Sequence, residues 1–168
     1  MNYNDFQARA VKYLPKIHLS TNPVSITVVV LENISFKEEL SKILPKDSEA
    51  ILKFLAMSPS FEGKAGQSGY AIIGDRQFLV HLAKKDINTK PVCDQQELGA
   101  EICNAVNARK FQSINLLMPM FKSETQIQVV QGLVLRNYRF NDFFSKKIEG
   151  KEPSLKEINI ESPREGCE

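Results

Sequence analysis

The chain has 168 residues, 42% of them hydrophobic and 25% charged, with 22 basic residues against 20 acidic ones and a net charge of +2. This length suits one domain around a single core, and the usage is close to that of ordinary globular proteins. The near-balance of charge argues against a strong nucleic-acid footprint or an acidic tail, and no apolar run approaches the roughly 18 residues of a membrane helix.

Residues 1–23 read as an N-terminal extension, ordered or frayed. Arg9, Lys12 and Lys16 lie among apolar residues in the manner of an organellar presequence, but Asp5 intrudes, serines are few and no apolar secretory core follows. A cytoplasmic location is expected, an organellar one being the alternative. Residues 24–31 (VSITVVVL) are β-branched and continuously apolar, the pattern of a strand covered on both faces. A helix is predicted from Phe36 to Leu44, broken by Pro45, and another from Asp47 to Met57. In the second, Asp47 is placed as N-cap, and Ile51, Leu52, Phe54 and Leu55 form the apolar face.

The glycine-rich segment from Phe61 to Gly69 leads into two short predicted strands, 69–73 and 77–82, around a turn at Gly74-Asp75. After a polar connection, Asp94 opens a helix with Glu97 as capping-box partner, and Leu98, Ile102, Ala105 and Val106 face a core. Ser113 to Met118 reads as a buried strand stopped by Pro119. Ser123 with Gln126 opens a helix reaching Phe143, its inward face set by Ile127, Val130, Val134 and Tyr138. A charged stretch, Lys146 to Glu152, precedes Leu155–Ile160, whose alternation suggests an exposed or edge strand. Residues 161–168 read as a linker. This order gives one α/β domain over 24–160, with a mixed, mostly parallel sheet flanked by helices.

The residues offer little chemistry. His18 and His81 are 63 positions apart and share no metal-ligand spacing; His81, at a strand end, reads as a satisfied structural imidazole. Cys93, Cys103 and Cys167 are an odd set with no close pair, which fits a reducing compartment better than a disulfide framework. Cys103 reads as a small buried hydrophobe. No serine-nucleophile signature occurs, and Gln67-Ser68-Gly69 is no elbow. Gly63, Gly66 and Gly69 could free backbone amides for a phosphate, but they lead into a strand and match neither phosphate-binding fingerprint, so a flexible connection is expected. Arg136, Arg139, Lys146 and Lys147 read as a solvated helix face and a complement to its C-terminal dipole.

The stretch from Gln131 to Lys147 (QGLVLRNYRFNDFFSKK) resembles a passage of the leucyl aminopeptidase (cytosol aminopeptidase) family, approximately E-G-x-x-L-x-x-Y-x-F-D-x-Y-K-x-K-K. Gly132, Leu135, Tyr138, Phe140 and Lys147 match; Gln131 and Asn141 replace acids, and Phe143 or Phe144 stands near the usual tyrosine. Phe78 to Lys85 (FLVHLAKK) is similar to the family's V-x-L-V-G-L-G-K-K, with His81 and Ala83 in place of its two glycines. Gly132 would let a neighbouring element approach closely, with Tyr138 and Phe140 supplying buried area.

The resemblance covers the family's N-terminal domain and implies a macrodomain-like fold. The family's catalytic domain holds two divalent metals, zinc or manganese, with an N-T-D-A-E-G-R signature that these residues lack. The expectation is a chain with no catalytic, cofactor-binding or metal-ligating residue of its own. Its implied partners are its own catalytic domain and homo-oligomer neighbours, hexameric in the family; no membrane is expected, and the DNA binding of some bacterial relatives has little support from a charge of +2. The alternative is a stand-alone binding or scaffold module that takes an ADP-ribose-like ligand or joins a larger assembly.

Overall fold

The computed structural model describes residues 15–18, 25–138 and 153–160. Six strands form one sheet in the order β1-β6-β5-β2-β4-β3: β1 (Lys16–His18), β2 (Ile26–Glu32), β3 (Ser68–Ile73), β4 (Arg76–Ala83), β5 (Ser113–Leu117) and β6 (Glu157–Ile160). Four of its five pairings are parallel, and the hairpin pair β3–β4 is antiparallel. The helices are α1 (Phe36–Ile43), α2 (Ser48–Ala56), α3 (Val92–Ala108) and α4 (Ser123–Asn137), with a short 3-10 turn at Ile87–Thr89. The architecture is α/β with a mixed, mostly parallel sheet, consistent with a macrodomain-like fold.

β2 shows why its run is continuously apolar. It lies between two parallel neighbours, and both of its faces are covered. Val28 and Val30 join Leu79, Ile114, Leu116 and Ile158 beneath α3 and α4, whereas Val29 and Leu31 join Val80 and Leu82 beneath α1 and α2. Period-two alternation therefore sorts side chains between two apolar layers rather than between core and water.

Several sequence expectations need correction. Asp47 occupies the N-cap position of α2 without a side-chain capping bond; its carboxylate instead accepts two bonds from the Arg76 guanidinium, at 2.8 and 2.6 Å. α3 begins at Val92 behind Pro91, so Asp94 and Glu97 form no capping box. α4 ends at Asn137, with Tyr138 extended and half-buried; of its expected inward residues, Val130 and Val134 pack half-buried against the core, but Ile127 does not. Ile127 is 56% exposed; the buried positions are Thr125, Val129, Gly132, Leu133 and Asn137. Thr125, Gly132 and Asn137 share this face with Val129 and Leu133 because α3 comes so close. A Cβ on Gly132 would overlap the carbonyl of Gln96, and one on Gly99 the carbonyl of Val129. The sequence expectation for Gly132 thus finds its partner in α3.

β6 is neither exposed nor an edge. It is flanked by β5 and by β1, a strand within the stretch read as an extension. Two buried or half-buried asparagines steer the chain into that position. Asn107 Oδ1 accepts from Ser154 N, Ser154 Oγ and Leu155 N, at 2.8 to 3.2 Å, and Asn137 Nδ2 donates to the Leu155 carbonyl at 3.1 Å. Asn107 Nδ2 links the two by donating to Asn137 Oδ1. Within β6, Asn159 donates to the Ile114 carbonyl and to the hydroxyls of Ser113 and Ser25. A polar residue satisfied this way is fully compatible with burial.

Candidate functional site

The glycine loop is built around one side chain. Gln67 Oε1 accepts from the backbone amides of Glu62 and Lys64, at 2.9 and 3.1 Å. Gln67 N donates to the Lys64 carbonyl, closing a turn with Gly66 at its third position and at φ +85°, where glycine is required. Gly66 N then donates to the Leu82 carbonyl while Leu82 N donates to the Gln67 carbonyl. Two residues thus face one, a β-bulge with a left-handed glycine at its first position. These amides are committed inside the protein, so they form no phosphate cradle, and the connection is a hydrogen-bonded turn rather than a loose link.

Immediately after the bulge, Ser68 opens β3 directly opposite His81 of β4. The hydroxyl of Ser68 lies 2.6 Å from His81 Nδ1, and His81 Nε2 lies 3.0 Å from Oε2 of Glu101 on α3. His81 is 1% exposed, whereas Ser68 and Glu101 are half-buried. A carboxylate only accepts, so Nε2 carries a proton, and in the tautomer with no second proton Nδ1 accepts from the hydroxyl. His81 is indeed a satisfied imidazole. Its partners come from three elements and could not be paired from sequence spacing, and Ser68, set aside for lacking an elbow, is the residue that reading missed. His81 stands where the resembling family has glycine, and Ser68 and Glu101 give the added ring its two partners.

The other residues singled out by sequence are dispersed. His18 lies exposed on β1, Cys93 is exposed and Cys103 buried. Arg136 Nε donates to Asn104 Oδ1 on the exposed side of α4. Gly69 is closely covered by Leu55 and Phe61 of the opposite face. Arg139, Phe140, Lys146, Lys147 and Cys167 lie outside the described residues. Among the described residues, no group of three or more histidine, cysteine or acidic side chains could hold a metal ion, so the two-metal chemistry of the resembling family has no ligands there. No helix among them is long and apolar enough to cross a membrane.

A cleft of about 720 Å³ opens at the other end of the sheet, lined by Thr27, Arg76, Gln77, Lys110, Ser113 and Asn115 among others. It lies where the parallel strands begin. Ligands of open α/β sheets bind at the carboxyl ends, in the crevice where strand order reverses. Here that crevice lies between β2 and β5, and the segment after β5 is tied down beside it. Asn88 bonds both the Met120 carbonyl and Lys122 N, and Gln126 Nε2 donates to the carbonyls of Met118 and Phe121.

No family model matches the chain, and none of the curated proteins matches it in sequence. Solved structures do. A tomato leucine aminopeptidase, in a mutant form, superposes with a TM-score of 0.58 at 17% identity over 92% of this chain. The fold is shared with part of a leucine aminopeptidase. The match takes in 34% of that enzyme, so this chain spans about a third of its length. At this identity the likeness establishes the fold alone.

Proposed function

We propose that the chain acts as the non-catalytic N-terminal α/β domain of a leucyl aminopeptidase-type protein, helping to assemble an oligomer and to frame access to a catalytic domain that supplies the metals. The fold likeness, covering 92% of this chain and a third of the enzyme, carries the reading. The outer face of α4 supports it. Ile127 and Leu135, two helical turns apart, are 56% and 64% exposed, and Leu135 is one of the residues that match the family's passage. Apolar residues set outward on a helix suit a surface covered by another domain or subunit. The domain takes in β1 together with 24–160, its partners are that catalytic domain and like subunits, and its setting is cytoplasmic.

The purified chain, supplied with zinc or manganese, is expected to release no leucine from a leucyl-amide substrate. Metal-dependent turnover that survives repurification would overturn the non-catalytic assignment. For the assembly role, L135K and I127K in the whole protein should lower the molar mass measured by light scattering, and an unchanged mass would count against that face.

A further inference from the structure

We propose that Ser68 is an activated nucleophile that accepts acyl groups from small activated esters without any metal, with His81 as its general base and Glu101 as the residue that positions the imidazole. The inference goes beyond the aminopeptidase reading, in which the chain is non-catalytic toward peptides, because it needs neither a second domain nor a metal ion.

The geometry meets the two requirements for activating a hydroxyl. The nucleophile must share a hydrogen bond with a base, and a third group must orient that base. Ser68 Oγ to His81 Nδ1 is 2.6 Å, and His81 Nε2 to Glu101 Oε2 is 3.0 Å. The ring is turned end for end relative to serine proteases, where Nε2 faces the serine; either ring nitrogen of a neutral imidazole can take the proton.

Position supports the same assignment. Ser68 follows a β-bulge, a feature found next to active sites because it re-aims a side chain. It also lies on β3, an edge strand of the sheet. Leu82 pairs with the bulge, so antiparallel alternation puts the following ladder bonds at Gly69, Ala71 and Ile73. The backbone N–H of Ser68 itself therefore faces the open edge, where it can stabilise a developing oxyanion. In the reaction, Ser68 Oγ bonds to the carbonyl carbon and its proton passes to His81 Nδ1. The ester C–O bond then breaks, and that proton leaves with the alcohol. Water deprotonated by the same nitrogen attacks the acyl-Ser68 carbonyl, the C–Oγ bond breaks, the acid leaves, and the proton returns from Nδ1 to Ser68 Oγ.

A fluorophosphonate probe tests this on the intact chain with EDTA present, since attack by Ser68 displaces fluoride and leaves a stable O–P adduct. Mass spectrometry should find the adduct on Ser68, S68A should abolish it, and H81Q should slow it on the order of 100-fold. No adduct on Ser68, or an equal rate in urea-unfolded chain, overturns the proposal. His81 is buried, so H81Q is first checked by circular dichroism. Should it not fold, the unaltered chain carries the test: Ser68 must label on the order of 100-fold faster than the chain's other serines, and equal labelling overturns the base. E101Q, at a half-buried position, should slow labelling with an unchanged circular dichroism spectrum, and E101D should restore part of the rate. An unchanged rate in E101Q removes Glu101 from the arrangement.

Discussion

The two faces of the sheet are sealed by different means. Beneath α1 and α2, the contact is made by side chains: Leu55 and Phe61 close over Gly69, with Ile51, Leu40 and Phe78 filling the layer. Above the other face, α3 and α4 first press against each other through Gly99 and Gly132, backbone to backbone, and only then against the strands. Side chains can turn aside by rotamer changes, whereas two helix backbones in contact can only move apart. The second face should therefore tolerate less change per added atom.

Gly132→Ala tests this most severely. Alanine would gain about 1 kcal/mol in helix propensity at an ordinary interior position. Here the new methyl meets the Gln96 carbonyl, and the net loss should exceed about 3 kcal/mol, beyond the usual range of overpacking. Thermal or urea unfolding measures it, and a loss below about 1 kcal/mol would show that the helices separate easily.

Asn107→Ala comes next. It strips an acceptor from Ser154 N, Ser154 Oγ and Leu155 N and a donor from Asn137. Leaving such groups unpaired in part-buried surroundings should cost about 2 kcal/mol. Hydrogen exchange should locate the loss, with amides of β6 and its approach opening before those of β2. Uniform loss of protection would mean that this asparagine does not serve as a local clasp.

On the softer face, Gly69→Ala should cost about 1–2 kcal/mol. Its added methyl meets side-chain carbons of Leu55 and Phe61 rather than backbone. If Gly69→Ala proved as damaging as Gly132→Ala, the contrast between the faces would fail.

The same contrast decides what could be read from the sequence. Where apolar side chains make the contact, periodicity found it: β2, the hairpin, β5, and the Leu98, Ile102 and Val106 stripe of α3 stand close to where the pattern put them. Where glycine and amide groups make the contact, the pattern misled. On α4 the pattern places Val130 and Val134 rightly against the core but picks Ile127 over the buried Thr125, Gly132 and Asn137, which carry no hydrophobic signal. β6 reads as an edge because Asn159 resembles a solvent-facing residue, although Ser113 and Ile114 of β5 and Ser25 ahead of β2 accept from its amide. Ser68, His81 and Glu101 were invisible as a set for a related reason. They meet through strand register and the position of α3, neither of which has a spacing rule in the sequence.

The smallest effect concerns charge at the carboxyl end of β2, where the core face gives way to solvent. Glu32 is held above the usual glutamate value, first because burial penalises its charged form and second because the Glu39 carboxylate lies nearby. Glu39 itself is buried and accepts from Ser35 Oγ and from Glu32 N, so the repelling partner is fixed in place. A carboxyl raised on folding binds its proton more tightly in the folded state. Its contribution is therefore fully present below the ordinary glutamate range and is lost as pH rises through the raised value. At neutral pH the ionised Glu32 is a mild liability, reduced by solvent screening at its half-exposed position. Glu32→Gln should raise stability at pH 7 by a few tenths of a kcal/mol, and more at low salt than at high salt. The gain should shrink as pH falls and the native carboxyl takes up its proton. A variant less stable than the parent at pH 7 would mean that the Glu32 carboxylate makes a favourable contact outweighing its repulsion from Glu39.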